Sequence, residues 1–250
     1  MQKIIEFAIS LNVKKIKGIF VKSIGDMMDK KLFLQAFTKF LFGFIIICAL
    51  LFIPAGTINY PNGWLFICLL FLPMFIVGII VFIKSPALLR RRLNAKEEQN
   101  EQKLVLLASG IMFLLSFALA GLNFRFGWFS LPGIIILIAS IIFLLSYIMY
   151  GEVLRENAYL SRTVEVSENQ KVVDTGLYGL VRHPMYTSTI FLFLSMPLVL
   201  DSIFSFIVML IYPIIIIFRI KNEEEFLEKE LMGYKEYKEK VKYRLIPYLW

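Results

Sequence analysis

One polar segment of the sequence holds residue types that suit the binding of a small anion. It reads GLYGLVRHPMYTS at residues 176–188 and contains the only histidine of the chain, His183, between Arg182 and Pro184. Proline suits the first turn of a helix. We therefore expect free backbone N–H groups there to form, together with Arg182 and His183, a small receptor for an anion.

A second polar segment offers the opposite charge. It reads RIKNEEEFL at residues 219–227 and places Glu223, Glu224 and Glu225 in a row. Carboxylates accept hydrogen bonds from an ammonium group or from hydroxyl groups. An anion receptor and a cation receptor beside an apolar region would suit a zwitterionic ligand, and the amino-acid end of S-adenosylmethionine is such a ligand.

The same residues also have ordinary roles at a membrane surface. A single histidine there is often a hydrogen-bonded surface residue, and Arg182 would also suit a lipid phosphate. Tyr178 and Tyr186 fit an aromatic belt, and consecutive glutamates often begin a solvated helix. From the residues alone, a ligand site and a plain membrane-surface segment remain alternatives.

The composition indicates that these segments belong to a membrane protein. Of the 250 residues, 58% are hydrophobic and 15% are aromatic, and the mean hydropathy is +0.73, well above that of a water-soluble domain. A helix needs about 20 mostly apolar residues to cross roughly 30 Å of hydrocarbon. Full spans are predicted at Phe40 to Tyr60, Trp64 to Ile83, Leu104 to Leu122 and Leu131 to Tyr150.

The next apolar region predicts a helical hairpin. A helix from Thr189 to Leu200 rises only about 18 Å, which is too short to cross the membrane alone. We expect this helix to enter, turn near Asp201 at the far interface, and return as Ile203 to Ile220. The alternative is one tilted helix kinked at a proline, which would leave the acid at mid-membrane without a partner.

Basic residues predict the orientation, because cytoplasmic loops collect Lys and Arg. Of the 27 basic residues, all except Arg125 fall on one predicted side. We therefore expect both termini, the 84–103 loop, the 151–188 segment and the C-terminal tail to be cytoplasmic. The membrane surface accounts for the net charge of +8, so no nucleic-acid partner is required.

The predicted organisation is one membrane domain with a basic leading segment. Residues 1–35 alternate apolar residues with lysines and are expected to form an amphipathic helix on the membrane surface. Residues 36–250 are expected to form a single domain. Cys48 and Cys68 lie within predicted spans and have no metal-ligand spacing, so we predict no metal site.

The last part of the chain, roughly residues 150–250, carries a split motif. Arg-His-Pro-x-Tyr in GLYGLVRHPMYTS is followed by the hydrophobic hairpin, by Glu-Glu in RIKNEEEFL, and by GYKEYKEKVKYRLIP with its Arg-x-x-Pro. This pattern resembles the isoprenylcysteine carboxyl methyltransferase-like family of integral-membrane methyltransferases. The first three spans resemble that family only in being spans.

The resemblance implies a fold, a cofactor and a set of contacts. The fold would be an all-α polytopic bundle, here with four full spans plus the C-terminal hairpin, and it would hold S-adenosylmethionine at the cytoplasmic face. The implied cofactor contacts are Tyr178, Gly179, Leu180, Arg182, His183, Pro184, Tyr186, Glu223 and Glu224, with Arg219 and Arg244 as further candidates. The resemblance assigns no catalytic residue.

The implied reaction is methyl transfer to an acceptor that arrives from the bilayer. A prenylated cysteine, an amino-headgroup lipid, or a small apolar thiol or acid would each suit such a site. Two alternatives remain. The ending YRLIPYLW is also similar to sterol reductases, which would use NADPH. The hairpin would also suit the re-entrant element of a transporter or the membrane part of a scaffold.

Overall fold

The computed structural model describes residues 30–94, 100–160, 166 and 170–250. The described part of the chain is helical, with one short 3-10 helix at Gly176–Gly179. Its α-helices are α1 (Lys30–Ala55), α2 (Pro61–Lys84), α3 (Pro86–Asn94), α4 (Asn100–Phe126), α5 (Gly133–Glu156), α6 (Pro184–Val199), α7 (Ile203–Met209), α8 (Ile211–Glu230) and α9 (Tyr234–Lys240).

The predicted polytopic bundle is confirmed. Helices α1, α2, α4 and α5 each contain a stretch long and apolar enough to cross a membrane, and α7 and α8 together form another, Ile203–Glu230. The shorter apolar helix α6 is the remaining arm of the hairpin. Helix α1 begins at Lys30 rather than at the predicted Phe40, so it runs through residue 35. Most of the predicted amphipathic segment, residues 1–29, lies outside the described residues.

The hairpin also forms as predicted, with a longer first arm. Helix α6 has 16 residues and rises about 24 Å, since it begins at Pro184 rather than at Thr189. Asp201 ends this arm with a left-handed φ of 59°, a conformation that aspartate tolerates better than most residues. The Ser202 hydroxyl then caps α7 by accepting a hydrogen bond from Ser205 N at 3.3 Å. The chain therefore reverses direction, unlike a single kinked helix.

The hairpin turn is held by the loops at one end of the bundle. Leu131 N donates to Asp201 Oδ1 at 2.5 Å, and Asn123 Nδ2 donates to the Asp201 carbonyl at 2.8 Å. The Tyr60 hydroxyl donates to the carbonyl of Leu200 at 2.5 Å. The turn thus lies beside the α1–α2 and α4–α5 connections, at the end of the bundle opposite to His183. The Asp201 side chain obtains its partners there and does not lie at mid-membrane.

The structure differs from the sequence prediction at two further places. The returning arm is interrupted at Leu210, between α7 and α8. Pro213 has no N–H to donate to the Met209 carbonyl, so one helical hydrogen bond is missing there. In addition, the basic loop after α2 contains α3, which begins with Pro86 and is bound to α1 by a hydrogen bond from Lys39 Nζ to the Leu93 carbonyl.

The apolar core lies between α1, α2 and α4 to α8, where side chains such as Leu51, Phe143 and Met196 are almost fully buried. Helices α1 and α4 lie close together at Gly121. A Cβ atom at this position would lie 2.7 Å from the Leu51 carbonyl oxygen, so only glycine fits there. This packing supports the hairpin. The polar site lies at the start of its first helix, α6.

Candidate functional site

A cleft lies where α6 begins and α8 ends. It encloses about 830 Å³, part of it open to the surroundings. Its walls come from the 3-10 helix, the start of α6, the end of α8, α9 and the segments at 157–160 and 170–173. The two polar segments of the sequence therefore meet at this cleft, as expected from the predicted hairpin.

Glu224 is the centre of the contact between these segments. Its Oε1 accepts a hydrogen bond from Arg182 Nε at 2.7 Å and lies 3.2 Å from His183 Nε2. Its Oε2 accepts from Arg244 Nε at 3.0 Å. Glu224 is only 3% exposed, and such burial of a carboxylate requires charged or hydrogen-bonding partners of this kind. Because a carboxylate only accepts, we assign the proton on His183 to Nε2.

The C-terminal tail closes around the same residues. Arg182 N donates to the Tyr243 carbonyl and His183 N to the Arg244 carbonyl, both at 2.9 Å. The Thr187 hydroxyl donates to the carbonyl of Leu245 at 2.7 Å. The YRLIP segment therefore pairs with the Arg-His-Pro segment through the backbone, which explains why these sequence motifs occur together.

These bonds correct the expected anion receptor. The Arg182 guanidinium binds Glu224 and also donates from Nη1 to the Val241 and Lys242 carbonyls, at 2.7 and 2.9 Å. Backbone N–H groups at the helix start are also engaged, since Tyr186 N donates to the His183 carbonyl at 3.1 Å. The chain itself satisfies these donors, so they do not form a vacant anion site.

Glu223 has different surroundings from Glu224, although the two are adjacent. It lines the cleft, and its Oε2 accepts a hydrogen bond from the Tyr186 hydroxyl at 2.5 Å. Arg219 Nε in turn donates to the Tyr186 hydroxyl at 2.8 Å. This chain of hydrogen bonds joins α6 to α8 and leaves a carboxylate facing the cleft.

Tyrosine side chains form much of the remaining wall. The Tyr237 hydroxyl donates to the backbone carbonyl of Tyr178 at 2.7 Å, and the Tyr178 hydroxyl accepts from Asn157 Nδ2 at 3.1 Å. Burial raises the pKa of the Tyr178, Tyr234 and Tyr237 hydroxyls, and the nearby carboxylates of Glu223 and Glu224 raise the pKa of Tyr234 further. These hydroxyls are therefore neutral at ordinary pH and provide hydrogen-bond donors.

The Tyr234 hydroxyl is the one that points to a ligand. Tyr234 is 4% exposed and lines the cleft. Among the described residues, its hydroxyl is buried without any hydrogen-bond partner. Leaving a buried hydroxyl unpaired costs about 1–3 kcal/mol, and an acceptor on a bound molecule would remove that cost.

A local constraint explains the glycine that opens the GLYG motif. Gly176 has a positive φ of 53°, and a Cβ there would collide with the Glu156 carboxylate. That carboxylate accepts a hydrogen bond from Leu177 N at 2.9 Å. The end of α5 thereby holds the 3-10 helix, and with it Tyr178, against the cleft.

The predicted site residues divide into two groups. Those that line the cleft are Tyr178, Arg182, His183, Tyr186, Arg219 and Glu223. Those that lie outside its lining are Gly179, Leu180, Pro184, Glu224 and Arg244. Sequence reasoning assigned no contact to Tyr234, Tyr237 or Asn157. The first two stand within GYKEYKEKVKYRLIP, a part of the recognised motif, whereas Asn157 carried no signal.

A second pocket adjoins the cleft. It encloses about 800 Å³, part of it open, between α4, α5, α6 and α8. Both spaces are lined by Met185, Tyr186 and Arg219. A thin wall of side chains therefore separates a polar cleft at the helix ends from a largely apolar pocket between the membrane helices.

Comparison with known proteins adds two findings. The phospholipid methyltransferase family model matches residues 129–232, which is less than half of the chain but includes α5 to α8. The Delta(14)-sterol reductase TM7SF2 of Mus musculus is 28% identical over 91 residues. That similarity covers 35% of this chain and 22% of the reductase, so the chain spans about a fifth of the length of this curated relative.

The family match covers the Arg-His-Pro segment, the hairpin and the glutamates of the sequence motif, whereas GYKEYKEKVKYRLIP follows the matched residues. It extends to the start of the turn that precedes α9. The predicted resemblance to membrane methyltransferases is thereby confirmed: the region from α5 to α8 matches the phospholipid methyltransferase family model.

Proposed function

We propose that the protein is an integral-membrane methyltransferase that moves a methyl group from S-adenosylmethionine to a membrane-borne or apolar acceptor. The observation that carries this proposal is the meeting of the two pockets at Met185, Tyr186 and Arg219. A polar cofactor and a lipophilic acceptor partition into different environments, so their reaction requires a place where both can approach. Holding two reactants together in this way lowers a barrier by several kcal/mol.

The residues of the cleft fit this cofactor. It is a concave site that combines charged, hydroxyl and aromatic side chains, the mixture that fixes the orientation of small molecules in proteins. The Glu223 carboxylate suits the cofactor's ammonium or ribose hydroxyl groups, and the Tyr234 hydroxyl is buried without a partner among the described residues. Aromatic faces also favour a positively charged ligand. Together these features support a cofactor that carries a cation and several polar groups.

When bound, S-adenosylmethionine supplies an electrophilic methyl group on a positively charged sulfur. The protein has to hold the acceptor in line with that group and to exclude water. A carboxylate or thiolate acceptor needs no general base, whereas an ammonium acceptor must first lose a proton. His183 Nε2 lies 3.2 Å from the Glu224 carboxylate, so this nitrogen is engaged. For a carboxylate acceptor, which needs no base, we assign His183 to the cofactor site rather than to proton transfer.

The two glutamates take separate roles in this proposal. Glu223 faces the cleft and contacts the cofactor, as the resemblance implied. Glu224 instead orients Arg182, His183 and Arg244, each of which bonds to its carboxylate. Glu224 is therefore a positioning residue, in place of the direct cofactor contact that the resemblance implied.

The proposed orientation follows the basic residues, with the cofactor cleft and the ends of the chain on the cytoplasmic side. The cleft lies at the end of the bundle that also holds α3 and its arginines, opposite to the hairpin turn. Proteolysis of the tail after α9 in sealed, oriented vesicles tests this side. Inverted vesicles expose the cytoplasmic face, so protease added outside them is expected to cleave the tail. The same protease added outside right-side-out vesicles is expected to leave the tail intact.

A binding titration tests the activity itself. Detergent-purified full-length protein is titrated with S-adenosylmethionine, its demethylated product and NADPH. Binding of the first two, with weaker binding after His183→Ala, is expected. Unchanged cofactor affinity and turnover in His183→Ala would overturn the assignment of His183.

The sterol reductase similarity favours one other candidate. The mouse enzyme shares 28% identity over 91 residues, and a reductase of that kind would bind NADPH in the same cleft. Binding of NADPH, without binding of S-adenosylmethionine, would decide for the reductase. Absence of binding by all three compounds would favour a scaffold or transporter.

A further inference from the structure

The pocket between α4, α5, α6 and α8 has its own polar group that the proposed function does not use. We propose that this pocket, here called the acceptor pocket, takes an apolar molecule that bears an anionic oxygen group, and that Arg92 holds this group. The name acceptor pocket rests on the proposed function. The preference for an anion rests on the residues of the pocket and can be measured separately.

The acceptor pocket changes from polar to apolar along the membrane normal. Arg92, Tyr150 and Arg219 line it at the helix ends, and Phe113 and Phe193 line it deeper in the bundle. Along α6, the eight residues from the cleft wall to the deeper phenylalanine correspond to about 12 Å of depth. An apolar molecule with one polar end would therefore place that end beside Arg92.

The Arg92 guanidinium is held in place but incompletely bonded. Its Nη2 donates to the Tyr150 hydroxyl, and its central carbon lies 5.5 Å from the centroid of that ring. Its Nη1 is buried and has no hydrogen-bond partner among the described residues. An unsatisfied buried donor of a charged group is costly, and an anionic ligand oxygen would satisfy it.

The charge around the pocket favours an anion over a cation. Its lining, among the described residues, contains Arg92 and Arg219 and no acidic side chain. Arg219 is directed toward the Tyr186 hydroxyl, which in turn donates to Glu223 in the cleft. Arg92 has no ion pair among the residues that the structure describes. A guanidinium of this kind binds carboxylate or phosphate through two parallel hydrogen bonds.

Helix α3 thus supplies a specificity residue from outside the matched family region, which begins at residue 129. The anionic group has two chemical sources: a carboxylate at the end of an apolar chain, or the phosphate of a phospholipid. Both present oxygens that a guanidinium can bind. The experiment is therefore designed to separate them.

Native mass spectrometry of the detergent-solubilised full chain provides the test. The probes are palmitate, hexadecyl phosphate and, as the uncharged reference, hexadecanol. We expect at least one anionic probe to bind about tenfold more tightly than hexadecanol, which corresponds to one charge-assisted hydrogen bond. Tighter binding of palmitate indicates a carboxylate ligand, and tighter binding of hexadecyl phosphate indicates a phosphate ligand.

Matched variants decide whether Arg92 is responsible. Arg92→Gln is expected to abolish the preference, whereas Arg90→Gln, the same change at an exposed position of α3, is expected to keep it. Arg92→Lys keeps the charge and should retain part of the preference. Equal binding of all three probes by the natural protein, or equal preference in the Gln variants of Arg92 and Arg90, would overturn the proposal.

Two further measurements keep the outcomes distinct. If Arg92→Gln does not fold, Tyr150→Phe replaces it, because this change removes the hydrogen bond that holds the guanidinium in position. About threefold weaker anion binding is expected from the lost positioning, the value of roughly one hydrogen bond, and unchanged binding contradicts the proposal. S-adenosylmethionine binding is measured on the same samples. Its absence in the natural protein would refute the proposed function, whereas the Arg92-dependent preference would still be tested by the amphiphiles.

Discussion

The N-terminal and C-terminal regions of the bundle differ in what they bury. Among the described residues of 30–94, the side chains that are buried as a whole are apolar or aromatic, such as Leu51 and Phe66, and the buried polar atoms include a single guanidinium nitrogen of Arg92. From Ser116 onward the structure buries polar and charged side chains as well, including Arg182, His183 and Glu224. Both regions cross the membrane, but only the second surrounds a polar cleft.

This difference shows how the two regions tolerate change. Apolar packing depends mainly on shape and volume, and hydrophobic residues of similar size replace one another at small cost. A buried ionic network depends on direction and charge, and removal of one member leaves the others uncompensated. We therefore expect substitutions of buried apolar residues in the first region to change stability alone, and those in the ionic network of the second to separate stability from cofactor binding.

The largest effect is expected for Glu224→Gln, which removes the charge at the centre of the network. Arg182, Arg244 and His183 would then lack their shared carboxylate. Loss of one partner of a buried ion pair costs about 3–5 kcal/mol, or a fall of roughly 6–20 °C in Tm for a chain of this size. Scanning fluorimetry measures the change.

The control for this variant is Glu225→Gln, the same substitution one residue later. Glu225 pairs with Lys229 at the surface, where the two side chains are 71% and 66% exposed. Such a pair contributes little, so an unchanged Tm is expected. Similar Tm values for the Glu224 and Glu225 variants would show that the network does not stabilise this region.

The next effect concerns binding rather than folding. Glu223→Gln retains an oxygen that can accept the hydrogen bond from Tyr186 but removes the charge that faces the cleft. Cofactor Kd is expected to rise roughly 10–100-fold, as for a lost charged hydrogen bond, with little change in Tm. Calorimetric titration with S-adenosylmethionine measures Kd, and an unaltered value would remove Glu223 from the proposed site.

A substitution at the contact between the regions tests packing alone. In Gly121→Ala the new Cβ would lie 2.7 Å from the Leu51 carbonyl oxygen, and such overpacking costs about 1–3 kcal/mol. Tm is expected to fall by roughly 2–12 °C with unchanged cofactor affinity. Gly110→Ala on the same helix is the control, because no atom lies within 4 Å of its new Cβ. A loss of cofactor binding in Gly121→Ala would contradict the separation of the regions.

The smallest effect is expected at Tyr234, whose hydroxyl is buried without a partner among the described residues. Tyr234→Phe should weaken cofactor binding about 2–10-fold, the value of one hydrogen bond, and leave Tm equal or higher. Tyr237→Phe is the matched control, since its hydroxyl donates to the Tyr178 carbonyl at 2.7 Å, and it should lower Tm. A fall in Tm for Tyr234→Phe with unchanged binding would contradict this assignment.

Much of the fold was predictable from the sequence. The four spans, the reversal near Asp201 and the meeting of His183 with the glutamates follow from the lengths of the apolar stretches and the position of one turn. Helix ends were less accurate, as at Lys30, because polar residues at a membrane surface can continue a helix without a change in hydropathy. Helix α3 was missed, since nine residues are too few for a clear periodic signal.

The sequence by itself determined the class of protein, the helical hairpin and the pair of motifs that form the site, because hydropathy and turn residues act locally. Only the tertiary structure decided that Glu224 lies within the ionic network while Glu223 faces the cleft. Adjacent residues on a helix point about 100° apart, so identical side chains meet different neighbours. Likewise, only the fold brings the Arg244 carbonyl to His183 N and Arg92 to Tyr150, since these pairs depend on how distant segments pack.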